Sequence, residues 1–299
     1  MSHSLSSKIA IGTSAWSYPD WRGILYPATL AQNQWLGWYA RFFSAVEVDS
    51  TFYHPPSAKV TRTWAETTPD DFTFTVKLSR EITHHQRLRD ADALLARFIS
   101  GLEPLRDKLG AILIQLPASF GPAGNEEALA KFIGSLPPDW PFAVEFRDPQ
   151  WVERPGIARW LREAGVTWAW TDTAPYEEQG PAVMERFPQT TDRVYLRLLG
   201  DLDTKFRADG KRCIDCYDHL RWDRSPSIAL WAGKVTQHLL GRDGDGAGRK
   251  HHRALLFAAN HYEGCSPLSA QRLAEALGTT LELPELEEPL ATAPQMELF

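Results

Sequence analysis

From Lys8 onward, short runs of strand-like alternation take turns with longer runs whose apolar residues recur at helical spacing. "KIAIGTSAW" predicts a strand and "QWLGWYARFF" a helix; "AVEVDSTFY" is followed by "SAKVTRTWAETT", and "FTFTVKLS" by "ADALLARFISGLEPL". "LGAILIQLP" precedes "NEEALAKFIGSL", and "FAVEFRD" precedes "RPGIARWLREAG", where Gly165 supplies a stop signal. "VTWAWTD", "RVYLRLLG" and "RALLFAAN" give three further strands. "SPSIALWAGKVTQHLL" comes before the last of them and "SPLSAQRLAEALG" after it, with a Ser-Pro start. Only the sixth strand lacks a clear helix behind it.

Alternation of this kind implies parallel strands joined by helical crossovers. Eight units in 299 residues fit a single-domain α/β (β/α)8 barrel of the TIM type. The rival, an open doubly wound sheet, predicts a glycine fingerprint after a strand. The glycine-rich "GRDGDGAGRKHH" instead precedes the last strand and reads as a loop. The expected division is a disordered start (1–7), a barrel (8–281) and an acidic tail (282–299).

In a barrel, one face of each strand points inward and the other packs under helices. Phe72, Phe74, Val76, Ile112, Ile114, Phe142, Val144, Phe146, Val194 and Leu196 mark the outward faces. The inward faces then carry Ser14, Trp16, Glu47, Asp49, Thr75, Lys77, Gln115, Glu145, Arg147 and Arg197. Asp172 and Asn260 end the sixth and eighth strands. Most of these lie toward the C-terminal strand ends, where barrel enzymes place their sites. The plainer reading is a buried ion network that fills the barrel. Against it, a barrel built for stability alone would be lined with Val, Ile and Leu, and each buried ion costs several kcal/mol before pairing.

Those residues carry a family resemblance. "GTSAWSYPDWRGILYP", "VEVDSTFYHPP", "FTFTVKLSREITH", "LGAILIQLPASF", "AVEFRDPQW" and "YLRLLG" resemble, in order, the segments of the YecE-like family, domain of unknown function seventy-two. The resemblance implies a TIM-like barrel and brings no established reaction. It points to Trp16, Tyr18, Glu47, Tyr53, Lys77, His84, Gln115, Glu145, Arg147 and Arg197 as matches to recurrent polar and aromatic positions. Asp49 stands where Asn is usual, Ala15 where Gly is usual, and Leu199 where a His often follows the seventh strand.

Composition narrows the chemistry. The formal charge of −6 gives no global basic field, so nucleic acid would need a local patch. Lys77, Arg147 and Arg197, with Gln115 and Asn260, form a donor set suited to a phosphate or carboxylate. Glu47 or Glu145 could serve as general base, with Asp49 and Asp172 as further acids. Trp16, Tyr18 and Tyr53 could stack on a ring; taken singly, each is more simply packing. The reading is an enzyme working by general acid/base chemistry, hydrolase or lyase, on an anionic ring-containing substrate, a small molecule or nucleic acid. The alternative is a binding module without turnover.

No cofactor is predicted. A divalent metal stays possible through His84, His85, Glu47, Glu145 and Asp172, but histidines at strand ends are too few for a catalytic zinc cluster. "CIDC" (Cys213 to Cys216) has CxxC spacing with only Cys265 besides, too few thiols for a zinc ribbon. Three cysteines, no signal-peptide core and no apolar run of membrane length read as a cytoplasmic protein with no membrane partner. The tail ends in "QMELF". Gln295, Met296, Leu298 and Phe299 resemble the short peptide with which DNA polymerases and repair proteins bind the sliding clamp, which would tie the enzyme to DNA metabolism.

Overall fold

The structure, a computed structural model, describes residues 9–172, 187–200, 216–240 and 254–286. The strands are β1 (Ile9–Ser14), β2 (Ala45–Val48), β3 (Thr73–Lys77), β4 (Leu109–Gln115), β5 (Phe142–Glu145), β6 (Thr167–Trp168), β7 (Trp170–Thr171), β8 (Val194–Leu198) and β9 (Ala254–Ala258). All pair in parallel, in the order β6-β5-β4-β3-β2-β1-β9-β8-β7. The two ends of this sheet are halves of one strand, interrupted at Ala169. Its first half pairs with β5 and its second with β8, while the Ala169 amide donates to the Val144 carbonyl at 2.8 Å. The sheet thus curls into a TIM-type barrel, and the expected sixth strand is split in two.

Helices alternate with the strands and cover them. Ala58–Thr67 starts at Ser57, whose hydroxyl accepts from the Val60 amide. Ser266–Ala276 has Pro in its first turn. Outward residues such as Phe74, Val76, Ile112, Ile114 and Val144 are buried between sheet and helices. A second, separate apolar cluster fills the barrel itself: Ala10, Ala45, Ala111, Leu113, Ala143, Ala169, Tyr195, Leu255 and Phe257. Five alanines leave room for the Tyr195 and Phe257 rings, which meet edge to face at 5.5 Å. At the floor Arg193, also on the inward register of β8, donates to the Gly110 carbonyl. Between this floor and the polar C-terminal mouth, the barrel is a packed apolar core.

Strand ends depart from the alternation. The "AVEVDSTFY" pattern extends to Tyr53, but β2 stops at Val48 and Ser50–Tyr53 turns helical. Thr51 fastens that turn: its hydroxyl lies 2.8 Å from the Lys77 carbonyl and 3.1 Å from the Lys77 amide. At the end of β1, Ala15 takes a left-handed backbone (φ 68°), so the inward parity stops at Ser14.

Candidate functional site

The deepest polar layer lies on the apolar plug. Glu47 and Glu145 are fully buried, and Arg197 is 2% exposed between them. Arg197 donates from Nε to Glu47 Oε2 at 2.7 Å, from one terminal nitrogen to Glu47 Oε1 at 2.6 Å, and from the other to Glu145 Oε2. Glu47 also accepts from Ser14 at 3.0 Å and from the Tyr195 hydroxyl at 2.6 Å. Burial would lower the Arg197 pKa, but Glu145 and Glu47 outweigh it and hold the guanidinium well above its ordinary value. Burial, reinforced by the Glu47 carboxylate, pushes the Tyr195 phenol well up, so it remains a donor. Both oxygens of Glu47 and three N–H groups of Arg197 are used within this layer.

One side chain links the layer to the mouth. Arg147 Nε donates to Glu145 Oε1 at 2.9 Å, while its side chain is 25% exposed. Burial alone would raise the Glu145 pKa, yet Arg197 and Arg147 together bring it down to about 2. The chain Glu47–Arg197–Glu145–Arg147 alternates in sign, and its outer member faces the opening. Beside it on β3, Lys77 pairs with Asp49 at 3.1 Å, with side-chain exposures of 12% and 35%. The Lys77 ammonium also sits 4.8 Å from the centre of the Phe52 ring.

His84 completes the mouth. It lies on a π turn, Glu81–His85, in the loop after β3, followed by left-handed Arg87, Leu88 and Asp90. Backbone in these sparsely populated regions costs energy and concentrates at functional sites. Arg87 is tied to Ser119 and Asn125, which holds the segment against the loop after β4. The Thr83 hydroxyl lies 3.2 Å from the Ser79 carbonyl and 2.9 Å from His84 Nδ1. With the hydroxyl hydrogen directed to Ser79, Nδ1 carries the imidazole proton and Nε2 is left as a bare acceptor. Burial, then the positive charges of Arg147 and Lys77, lower the His84 pKa to about 4, so the ring is neutral at pH 7.

The other sequence-singled residues are dispersed. Trp16 turns out under the helices, edge-on to Trp64 at 5.7 Å, because Ala15 breaks the strand parity. Tyr18 packs on Trp21 and Tyr217, and Tyr53 is 56% exposed at the rim with the Arg80 guanidinium over its ring. Asp172 accepts from the Leu199 amide at 2.6 Å and the Gly200 amide at 3.2 Å, shaping the turn after β8. Gly200 has φ 71°, and a Cβ there would lie 2.6 Å from the His261 carbonyl, so only glycine fits. Asn260 Oδ1 accepts from Trp21, at 3.2 Å, and from Ser266. Gln115, 4% exposed at the end of β4, has no hydrogen-bond partner for Oε1 among the described residues.

Comparison with known proteins places this architecture. The model of the family described as "Protein of unknown function DUF72" matches residues 10–295. The chain belongs to the DUF72 family. It is 35% identical over 177 residues to UPF0759 protein YecE of Escherichia coli K12, an alignment covering 58% of this chain and 62% of that protein. It is 30% identical over 153 residues to UPF0759 protein YunF of Bacillus subtilis, covering 49% and 53%. The chain thus spans about three fifths of the length of the curated YecE relatives it matches. Among solved structures, a DUF72 protein from Thermotoga maritima superimposes with a TM-score of 0.71 at 29% identity, covering 90% of this chain and 99% of that one. A DUF72 protein from Enterococcus faecalis, at 19% identity and a TM-score of 0.68, agrees in fold.

In this DUF72 barrel, sequence reasoning passed over one partner of the inner layer and one of the mouth. Tyr195 lies two residues before Arg197, and the outward placement of Val194 and Leu196 already implied it points inward. Thr83, whose hydroxyl lies 2.9 Å from His84 Nδ1, had no signal beyond its neighbour. Among the described residues no three His, Cys, Asp or Glu side chains converge to hold a metal ion. Nor is any helix among them long and apolar enough to cross a membrane. The N-terminal segment 1–7, Cys213, His251, His252 and the clamp-like Gln295, Met296, Leu298 and Phe299 lie outside the described residues.

Proposed function

We propose that this chain is a cytoplasmic enzyme that binds an anionic, ring-containing substrate at the barrel mouth and acts on it by general acid/base chemistry. The observation that carries the reading is a pair of partly exposed cations anchored from behind, Arg147 by Glu145 at 2.9 Å and Lys77 by Asp49 at 3.1 Å, with an imidazole, His84, whose pKa burial and then their charges lower. Lys77 and Arg147 would hold a phosphate or carboxylate, Arg147 with terminal nitrogens that meet no partner among the described residues. Nε2 of His84 would then take a proton from the bound molecule. Burial first and then the two cations disfavour the charged ring, so an anion between them would raise its basicity on binding. Tyr53 at the rim offers a face for a ring. Arg197, expected among the anion donors, acts in this reading as the strut behind Arg147.

The test is turnover. Purified protein incubated with mixed phosphate esters and carboxylic acids, followed by NMR, should convert at least one component. His84→Asn should abolish conversion while leaving that compound bound. A compound that binds stoichiometrically and is never converted would favour the binding-module reading instead.

A further inference from the structure

Gln115 is placed between the two cations of the mouth and is not used by them. The order β3-β4-β5 puts the end of β4 between Lys77 and Arg147, and Gln115 stands in register with Glu145. Its side chain is buried, and Oε1 finds no hydrogen-bond donor among the described residues. On the other side of β5, Thr171 of β7 is fully buried, in register with Arg197, and its Oγ1 is likewise without a partner. Glu145 between them is already claimed by Arg197 and Arg147. Buried polar groups in folded proteins are almost always paired, so two orphans on the strands flanking Glu145 call for an explanation.

An amide oxygen is a poor neighbour for an anion's oxygens and a good one for a hydroxyl or N–H. We infer that the mouth selects anions that carry a hydroxyl beside the charged group, with Gln115 Oε1 accepting from that hydroxyl and Thr171 Oγ1 meeting a second polar atom. This rests on the proposed anion site and specifies its substrate class: a polyhydroxy or sugar-like phosphate or acid. Such a molecule satisfies acceptor and cations together, while a bare anion leaves Gln115 unpaired. Sites built to pair a substrate hydroxyl reject analogues that lack it.

The test uses two probes of equal charge, glycerol phosphate and propyl phosphate, titrated into the intact protein by calorimetry. Glycerol phosphate should bind about tenfold more tightly than propyl phosphate, the size expected for one buried hydrogen bond. Gln115→Leu should erase that preference and raise the melting temperature of the free protein, because an unpaired buried amide is gone. Thr171→Val should narrow the preference in part. Lys77→Met should weaken both probes alike. Equal binding of the two probes by wild-type protein would overturn the inference and leave the anion site standing, with the amide turning its nitrogen to the anion. Failure of both probes to bind would remove the anion site, and this inference with it.

Discussion

Two sets of charges lie one above the other in this barrel, and they differ in what they have left to offer. In the inner set, Glu47, Arg197, Glu145, Tyr195 and Ser14 use one another's donors and acceptors, all at 4% exposure or less. In the outer set, Lys77, Asp49, Arg147 and His84 pair more loosely, and their side chains reach solvent. The same residue types therefore do different work. A saturated buried layer positions the groups above it, and an incompletely paired layer can exchange water for a ligand. Charge on the inward face of a strand does not by itself mark a binding group; depth and saturation decide.

The sharpest way to break this division is to compare the two arginines. Arg197→Met leaves Glu47 and Glu145 buried without their cation and should destabilise the fold by about 3–5 kcal/mol. Arg147→Met leaves Glu145 Oε2 still paired with Arg197 but strips buried Oε1 of its donor, and should cost about 1–3 kcal/mol. Chemical unfolding of both variants measures the contrast; similar losses would erase the distinction. Next in size, Tyr195→Phe removes a buried hydrogen bond to a carboxylate and should cost about 1.5–3 kcal/mol.

Acid separates the layers as well. Glu145 falls from an ordinary 4.5 to about 2 in the folded protein, so the unfolded chain binds more protons between those values. Its contribution is complete above about 4.5 and is lost as pH falls toward 2. His84 falls from 6.5 to about 4, and here too the unfolded chain takes up the proton first, so stability declines as pH drops from 6.5 to 4. Urea midpoints against pH should thus show two acid limbs. His84→Asn should remove the upper limb, and Glu145→Gln should shrink the lower one, which Asp223, also lowered to about 2, shares. A single limb unchanged by His84→Asn would mean that the imidazole is not held neutral.

The smallest effect concerns the backbone that sets the rim. Ala15 sits at φ 68°, where glycine has no steric cost. Ala15→Gly should raise stability by about 0.5–1 kcal/mol, the αL penalty less the added chain entropy of glycine. Loss of stability would place the constraint elsewhere.

The layers were legible in the sequence to different depths. Strand parity placed Glu47, Thr75, Gln115, Glu145 and Arg197 on inward faces, because a period of two survives as long as the strand does. It erred where strands end. Trp16 kept the right parity on paper, but the left-handed Ala15 turned it toward Trp64. Tyr53 rode out to the rim on a helical turn that the alternation of "DSTFY" concealed. The π turn that carries His84 has no periodic signature, so its hydrogen-bond partner Thr83 could not be read. Nor does parity report saturation. Arg197 and Arg147 look alike in the chain, and only side-chain geometry shows that the first is enclosed by two glutamates.

The claim that the inner layer supports while the outer layer binds is tested most directly by titrating inorganic phosphate into four proteins and following backbone amides by NMR. Wild-type and Tyr195→Phe protein should show the same saturable shifts around Lys77, His84 and Arg147, with equal affinity. Lys77→Met and Arg147→Met should each bind at least about tenfold more weakly while staying folded, as expected for losing one charge-assisted contact. Loss of binding in Tyr195→Phe as large as in Lys77→Met, or shifts unaffected by either cation substitution, would contradict the account.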